Sequence, residues 1–379
     1  MIRIFVLLSL LFITSIVLSQ SAVLPPKTNG AEIQRIGDNV YAIIHDDATD
    51  QWPHGNTGVI IGDKAVMVID ACYLPSMARE DIRLIRAITK KPVKYLAFTH
   101  WHFDHNNGTV AYTDSFPGIT IISERESQKY IELNGEWWSK MCSAPGSAKK
   151  TSLAEMEATV AKGKDTSGKE IPAKELEDMR GFIAKRKSEL NELASLQVVA
   201  PNKVFDGSMT IDLGNRKVEL KDRVRANSPH DVTFYLPKEQ ILFTGDILVQ
   251  SPLPYLGESW PVSWVKVLHD IEKIAIKTMV MGHGPVQHDH SYTRQVCEFL
   301  EVVTKKVEAM IRDGKTLDQI KATINADELK KGVWSKESNE DWNYNLRTVS
   351  ERIWKCVRGQ GGLSEIKRIS LEFSLAVNH

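Results

Sequence analysis

The chain has 379 residues, of which 42% are hydrophobic and 25% are charged. This composition is that of an ordinary globular protein, and it excludes a disordered, collagen-like or multi-pass membrane chain. Lys and Arg together number 48, as do Asp and Glu, so the net charge is zero and no positive field is available to attract nucleic acid. Four cysteines are too few for a disulfide scaffold.

The N-terminus predicts an export signal. Arg3 precedes an apolar run at residues 4–18, and the small residue Ser19 follows it. Because the run is shorter than the ~20 residues of a spanning helix, we expect a cleaved signal peptide at residues 1–19, with an uncleaved N-terminal anchor as the alternative. We therefore expect a periplasmic or secreted protein with no stable membrane span after cleavage.

The next stretch predicts strands followed by a helix. Short apolar runs at residues 40–44, 58–61 and 65–69 are typical of strands. Over residues 75–89 the apolar residues recur with helical spacing. Residues 93–98 return to a buried strand, which leads directly into the most histidine-rich part of the chain.

A helical insert is predicted at about residues 124–197, because apolar residues recur at intervals of three, four and seven between Leu176 and Leu193. The polar break at residues 163–168 divides this stretch into separate helices. Two interpretations remain open: the insert is a lid over a site, or it is a surface insertion that packs on the core.

The C-terminal half predicts strands and then helices. Strand patterns return over residues 202–249 and again at 278–281, with an amphipathic helix at 262–274 between them. Helical stripes follow to the end. We therefore expect one main domain at residues 20–290 and a helical C-terminal extension at residues 291–379.

Three of the 11 histidines fall within six residues, in Thr99-His100-Trp101-His102-Phe103-Asp104-His105. Imidazole and carboxylate are ligands of Zn²⁺ and of Fe or Mn. His100 and His102 share a side of an extended chain, whereas Asp104 and His105 come after the turn and can face a second ion. The segment predicts a metal site, and a polar surface loop is the alternative.

Two further strand ends supply metal-ligand side chains. The segment Phe243-Thr244-Gly245-Asp246 places a carboxylate after an apolar strand. The segment Val280-Met281-Gly282-His283-Gly284 places an imidazole after another strand, between glycines that allow backbone and metal to approach closely. Three segments of this kind at successive strand ends indicate one shared site.

In order and spacing these motifs, His100-x-His102-x-Asp104-His105, Thr244-Gly245-Asp246 and Gly282-His283-Gly284, resemble the metallo-β-lactamase-fold hydrolase superfamily. The resemblance extends from about residue 33 to residue 290, and residues 236–261 resemble those of exported members. It implies an α/β fold, an αβ/βα four-layer sandwich of two facing sheets with helices outside, here with a helical insertion and a helical C-terminal extension.

The resemblance also implies a binuclear site at one edge of that sandwich. His100 and His102 would hold metal 1, while Asp104, His105 and His283 would hold metal 2. Asp246 would bridge both ions, as in the glyoxalase II and lactonase branches. The expected cofactors are two divalent ions, with Zn²⁺ first and Fe or Mn as alternatives.

The third ligand of metal 1 departs from the superfamily pattern, in which a His precedes the strand that leads to Thr-Gly-Asp. Register places Asn227 at that point, and His230 follows three residues later. Imidazole is the better zinc ligand, so chemistry favours His230 whereas register favours Asn227. We predict His230 as the ligand and keep Asn227 as the alternative.

Two divalent ions that share an oxygen lower the pKa of bound water toward neutrality. The predicted function is therefore hydrolysis of a small carbonyl substrate, a β-lactam, lactone or thioester, by a metal-bridged hydroxide that Asp104 orients as the catalytic residue. Trp101, His54 and Asn227 are the predicted substrate contacts. The chain has no G-x-S-x-G elbow, P-loop or G-x-G-x-x-G motif for another chemistry.

Two other functions remain open at this point. Some superfamily members hold two irons and act as oxidoreductases on sulfur or oxygen species. The altered region from Asn227 to His230 would also suit a non-catalytic metal-binding protein with a degenerate metal 1 site.

Overall fold

A computed structural model describes residues 24–49, 52–144, 147–250 and 254–359. These ranges include every predicted metal ligand and substrate contact, whereas the predicted signal peptide at residues 1–19 lies outside them. In the ranges that are described, no helix combines the length and the apolar character needed to cross a membrane.

The first sheet has seven strands that lie side by side in chain order. They are β1 (Ala31–Gly37), β2 (Val40–His45), β3 (Thr57–Ile61), β4 (Val66–Ile69), β5 (Val93–Ala97), β6 (Thr120–Glu124) and β7 (Lys203–Phe205). β1 to β4 pair antiparallel, and β4 to β7 pair parallel. Since parallel neighbours need crossover connections, the helices between these strands cover one face of the sheet.

The second sheet has five strands, β8 (Ser208–Asp212), β9 (Lys217–Val224), β10 (His230–Leu236), β11 (Ile241–Val249) and β12 (Thr278–His283). β8 to β11 are antiparallel neighbours, and β12 pairs parallel with β11. The register of the last pair shifts at Gly245, which has a φ of +53°, a backbone conformation that glycine adopts without strain.

Several helices begin where proline or a capping side chain favours a helical start. Pro75 and Pro261 open two of them, and the Glu124 carboxylate accepts hydrogen bonds from the first free N–H groups of another. The helices are α1 (Pro75–Ile88), α2 (Thr109–Ser115), α3 (Arg125–Ser143), α4 (Ala148–Lys162), α5 (Ala173–Ala194), α6 (Pro261–Glu272), α7 (Ser291–Arg312), α8 (Leu317–Thr323) and α9 (Asn339–Val357).

The two sheets face each other and helices cover both outer faces, which confirms the αβ/βα four-layer sandwich predicted from the sequence. β3 shows the layering, because Ile60 joins the core between the sheets while Val59 and Ile61 join the core beneath the outer helices. Phe243 of β11 likewise enters the inner core, and Leu242 enters the opposite outer core.

The insert helices pack on the main domain through a cluster of aromatic and aliphatic side chains. Leu190 and Leu193 of α5 join Tyr73, Phe103 and Trp138 in this buried cluster. The backbone N–H of Thr49 and that of Ser76 donate to Glu189 and Glu192 of α5, respectively. The insert is therefore seated on the core beside the loop that leads to His54.

The C-terminal helices share a core with the second sheet. Trp342, Leu346 and Ile353 of α9 pack with side chains of α6, α7 and β11. Arg352 Nε donates a 2.8 Å hydrogen bond to the carbonyl of Ser259, in the loop before α6. The described part of the predicted extension is thus one of the four layers.

Candidate metal centre

Six of the predicted ligands meet where β5 and β12 end and where β11 shifts register. They form two groups, within each of which one ligand atom from every residue lies within 4.8 Å of the others. The first group consists of His100, His102 and Asp246, and the second of Asp104, His105, Asp246 and His283. All six side chains are buried, so a cation held here would be shielded from bulk water.

The distances within the second group match a shared cation. His105 Nε2 lies 3.1 Å from Asp246 Oδ1 and 3.2 Å from His283 Nε2, which is itself 3.2 Å from Asp104 Oδ2. Bonds of 2.0–2.2 Å around a tetrahedral Zn²⁺ place neighbouring ligand atoms about 3.3–3.6 Å apart. A small relaxation would therefore accommodate the ion.

The unsatisfied atoms of the second group point to the same ligand. Asp246 Oδ1 is buried without a well-formed hydrogen bond, which costs free energy unless a cation or donor reaches it. The facing Nε2 atoms of His105 and His283 cannot both donate to each other, so at least one presents a lone pair. This donor set fits a divalent cation.

Neighbouring groups fix which nitrogen of each ring is available. His105 Nδ1 donates to Asp70 Oδ2 at 2.8 Å, and His283 Nδ1 donates to the carbonyl of His54 at 3.1 Å. These bonds keep the Nδ1 protons in place and leave both Nε2 atoms to the ligand group.

The first group is arranged in a similar way around the other oxygen of Asp246. His100 Nε2 lies 2.9 Å from His102 Nδ1 and 3.7 Å from Asp246 Oδ2. His102 Nε2 faces Glu258 Oε2 at 3.3 Å, so its Nδ1 is the ligand atom. Asp246 therefore offers Oδ1 to one group and Oδ2 to the other, the geometry of a bridging carboxylate.

Electrostatics prepare His100 and Asp246 for a cation, but not His105 and His283. Burial lowers the pKa of His100, and the charge of His105 lowers it further, so the ring stays neutral. Burial raises the pKa of Asp246, but the charges of His283 and His105 outweigh burial and hold that pKa well below its usual range. A neutral imidazole and an ionised carboxylate are the forms that bind Zn²⁺. Burial lowers the pKa of His283, but the charges of Asp246 and Asp104 outweigh burial and raise that pKa to about 9. The pKa of His105 is also raised, so a cation would have to displace protons from these two rings.

His230 does not join either ligand group. Its Nδ1 lies 2.9 Å from Asp222 Oδ2 and 3.6 Å from Glu124 Oε2, so it neutralises two carboxylates between the sheets. Strand alternation explains this position, because His230 lies on the same side of β10 as Val232 and Phe234, which face the inner core. The side chain next in sequence, Asp231, points the opposite way.

Asp231 is the buried acid that the sequence analysis missed, and it lies on the metal side. Its pKa is raised to about 7 by burial and by the charge of Asp246, while the charge of His102 opposes the rise. Its Oδ1 has no hydrogen-bond partner in the described chain, and neither does the buried Nδ2 of Asn227. The third donor to the first group stays a prediction, with Asn227 still a candidate.

Asp231 predicts a pH-dependent stability of the metal-free chain. Its carboxyl ionises near pH 3.8 when unfolded and near pH 7 when folded, so the folded chain binds more protons in between and the free energy of unfolding falls as pH rises. The variant Asp231→Asn has no carboxyl to ionise at this position, so this decrease in the free energy of unfolding should not occur. With chelator present, we expect the variant to exceed the parent by up to roughly 4 kcal/mol above pH 7 and to match it below pH 4.

Thermal or urea unfolding of both chains between pH 4 and pH 8 measures this difference. An advantage of the variant that does not change with pH would contradict the role assigned to Asp231.

Two predicted substrate contacts have packing or positioning roles in the structure. Trp101 is 3% exposed and packs its ring 5.4 Å from Tyr130 in an outer core. His54 is buried, and its carbonyl accepts the bond from His283. Tyr255 lies at the rim instead, half exposed with its ring 6.2 Å from that of His102.

Asp70 and Glu258 also escaped the sequence analysis. Asp70 ends the strand before α1 and has a φ of +63°, and Glu258 lies in a loop far along the chain. Asp70 could have been predicted as a site residue, because it is an acidic residue directly after a buried strand. Nothing in the sequence near Glu258 indicates that it reaches His102.

Residues 50–314 match the family model of the Metallo-beta-lactamase superfamily. The match covers well over half of the chain and includes every member of both ligand groups. The chain belongs to this superfamily. The match confirms the resemblance stated from the His100, Asp246 and His283 motifs, and it agrees with the two sheets and their outer helices.

Proteins similar to this chain include alkylsulfatases. The chain is 23% identical over 282 residues to a linear primary-alkylsulfatase from Pseudomonas sp. (strain ATCC 19151), covering 73% of this chain and 49% of that protein. The chain thus spans about half the length of this relative. A stereoselective inverting sec-alkylsulfatase, Pisa1 from Pseudomonas sp., has a TM-score of 0.59 at 16% identity, over 85% of this chain and 50% of its own.

A metallo-beta-lactamase from Pontibacter korlensis is a further structural neighbour, with a TM-score of 0.47 and 17% identity over 72% of this chain and 99% of its own. At 16% identity, the match to the sec-alkylsulfatase shows likeness of fold alone.

Proposed function

We propose that this superfamily member is a metal-dependent hydrolase with two divalent cations. The observation that carries the proposal is Asp246, whose two oxygens serve two adjacent ligand groups. Two cations bound there, with Zn²⁺ expected first, would supply Lewis acidity and a water of lowered pKa.

The residues of the chain would prepare the site for this chemistry. Asp70 and the His54 carbonyl hold the Nδ1 protons of His105 and His283, so both rings stay oriented. Asp104 Oδ2, 3.2 Å from His283 Nε2, is placed to act as a ligand and to accept a proton from the attacking water. Burial of all these groups limits access of bulk solvent and strengthens their electrostatic effects.

The proposed substrate is a small molecule with a reactive carbonyl, a β-lactam, lactone or thioester. The side chains nearest the first group are acidic, since Glu258 faces His102 and Asp231 lies on the same side. This acidic rim disfavours an anionic substrate, so it favours a neutral lactone or thioester over a β-lactam that carries a carboxylate. We also propose that the enzyme acts after export, because of the N-terminal apolar run at residues 4–18. We further propose that nucleic acid is not its substrate, because the net charge is zero.

An alkyl sulfate ester is the second candidate substrate. It is favoured by the activity named for the Pseudomonas relatives. A sulfate monoanion would need cationic partners, which the bound cations themselves would have to provide against the acidic rim.

One experiment separates these candidates. The purified chain is analysed for metals and assayed on nitrocefin, a lactone series, thioesters and dodecyl sulfate, with and without chelator. We expect about two divalent ions per chain and turnover of at least one carbonyl substrate that chelator abolishes and Zn²⁺ restores.

The other results each point elsewhere. Turnover of dodecyl sulfate alone would favour the sulfatase activity, and bound iron with a visible absorption band would favour the di-iron oxidoreductase. A chain that binds metal but turns over none of these substrates would favour a non-catalytic metal-binding protein.

A further inference from the structure

A separate set of metal-ligand side chains lies where α6 packs on α7. Cys297 and Glu301 stand one turn apart on α7 and face His269 of α6, with one ligand atom from each within 4.8 Å of the others. None of the three belongs to the ligand groups around Asp246. We propose that His269, Cys297 and Glu301 form an additional binding site for a thiophilic divalent cation of the zinc class.

The distances suit tetrahedral coordination. Cys297 Sγ lies 3.7 Å from His269 Nε2, and a tetrahedral ion with Zn–S of about 2.3 Å and Zn–N of about 2.0 Å would need about 3.5 Å. His269 Nε2 lies 2.9 Å from Glu301 Oε1, where about 3.3 Å is needed. A small rotation of the Glu301 side chain supplies this difference without backbone movement.

The site is open to solvent on one side. The His269 and Glu301 side chains are 49% and 34% exposed, whereas Cys297 is 5% exposed at the base. A shallow cavity of about 590 Å³ beside α6 includes His269 and Glu272 in its lining. A cation can therefore enter from solvent, take three protein ligands and keep a fourth position for water.

The mixture of donors selects the ion. Thiolate and imidazole together favour Zn²⁺ and similar ions over Mg²⁺ or Ca²⁺, which prefer oxygen ligands. Burial and the nearby charges of Glu301 and Glu272 raise the pKa of the Cys297 thiol to about 11. The thiol is therefore unreactive on its own, and cation binding would release its proton and strengthen with rising pH.

Two other clusters of similar composition in the described chain give weaker support for a metal site. The side chains of His45, Cys72 and Asp81 are buried, and Asp81 already accepts hydrogen bonds from His45, Thr57 and Cys72. Glu124, Asp222 and His230 contain no sulfur and form an ion-paired network between the sheets. The α6–α7 site is the cluster that combines a thiol with exposure to solvent.

A cation at this site would tie α6 to α7 and stabilise the second outer layer, because a ligand that binds only the folded state raises the free energy of unfolding. The full chain is freed of metal with chelator and then titrated with Co²⁺. We expect a thiolate-to-cobalt charge-transfer band in the near ultraviolet, with the intensity of about one cobalt–thiolate bond per chain, which the histidine and carboxylate ligands around Asp246 cannot give.

Single substitutions test whether the charge-transfer band comes from the α6–α7 site. Cys297→Ser should abolish it, and His269→Ala, at a half-exposed position that folding tolerates, should weaken Co²⁺ binding at least tenfold. Cys72→Ser should retain the band, as should Asp246→Ala, while Cys297→Ser should leave hydrolysis unchanged. Absence of the band in the parent chain, or its persistence in Cys297→Ser, would overturn the proposal.

Discussion

Asp246→Ala is expected to lower bound metal to well under one equivalent and hydrolysis by a factor on the order of 1000. The carboxylate serves both ligand groups, with Oδ1 3.1 Å from His105 Nε2 and Oδ2 3.7 Å from His100 Nε2. No other side chain in the described chain lies in both groups. Metal analysis by mass spectrometry and assays on the substrate that the parent chain turns over measure the two effects together.

Asp222→Asn is the matched control for this variant. Asp222 is also a buried carboxylate paired with a histidine, but it lies with His230 away from the ligand groups. We expect the control to keep its metal and its activity even if it loses some stability. If Asp246→Ala kept two ions per chain, the bridging role would have to be abandoned.

Gly282→Ala is expected to disrupt the centre without removing any ligand. A Cβ atom at this position would lie 1.8 Å from Asp246 Oδ1 and 2.8 Å from the backbone nitrogen of Asp246. The carboxylate could rotate away, but the backbone of β11 could not, so the ligand must be displaced. We expect a loss of about 1–3 kcal/mol in stability and about 10–100-fold weaker metal binding.

Gly181→Ala makes the same substitution where nothing crowds the added methyl group, since no atom lies within 4 Å of its Cβ. Gly181 is inside α5, so we expect this variant to gain about 0.5–1 kcal/mol and to bind metal normally. Calorimetry and metal titration of the two variants form the comparison. Equal metal affinity in both would show that close approach at Gly282 is not required.

The sequence predicted most of the ligands because of their position in the chain. His100 to His105 follow β5, and His283 ends β12, so their convergence depended on where strands end. Asp246 was expected directly after a strand, but it lies within β11, which continues to Val249, and it reaches the site at the register shift beside Gly245. The four-layer architecture was predicted from the resemblance of these motifs to the superfamily, and strands such as β3, which bury both faces, agree with it.

The third donor to the first group was harder to predict, since it depends on a single residue of register. In β10 alternate side chains point to opposite faces, so His230 turns toward Glu124 and Asp231 toward the metal side. Counting along the sequence located the segment from Asn227 to Asp231, but it did not show which of its side chains lie on the metal side of the sheet. Asp231 and Glu258 depend on such tertiary detail, which local patterns do not encode.

The hydrogen bond from Arg352 to the Ser259 carbonyl has a consequence for the rim of the centre. Ser259 is the neighbour of Glu258, and Glu258 faces His102 at 3.3 Å. Two polar contacts thus connect α9 to the histidine through neighbouring residues of one loop. Shortened versions of the protein that end before α9 would lose this brace, so the whole helix should be retained in any engineered form.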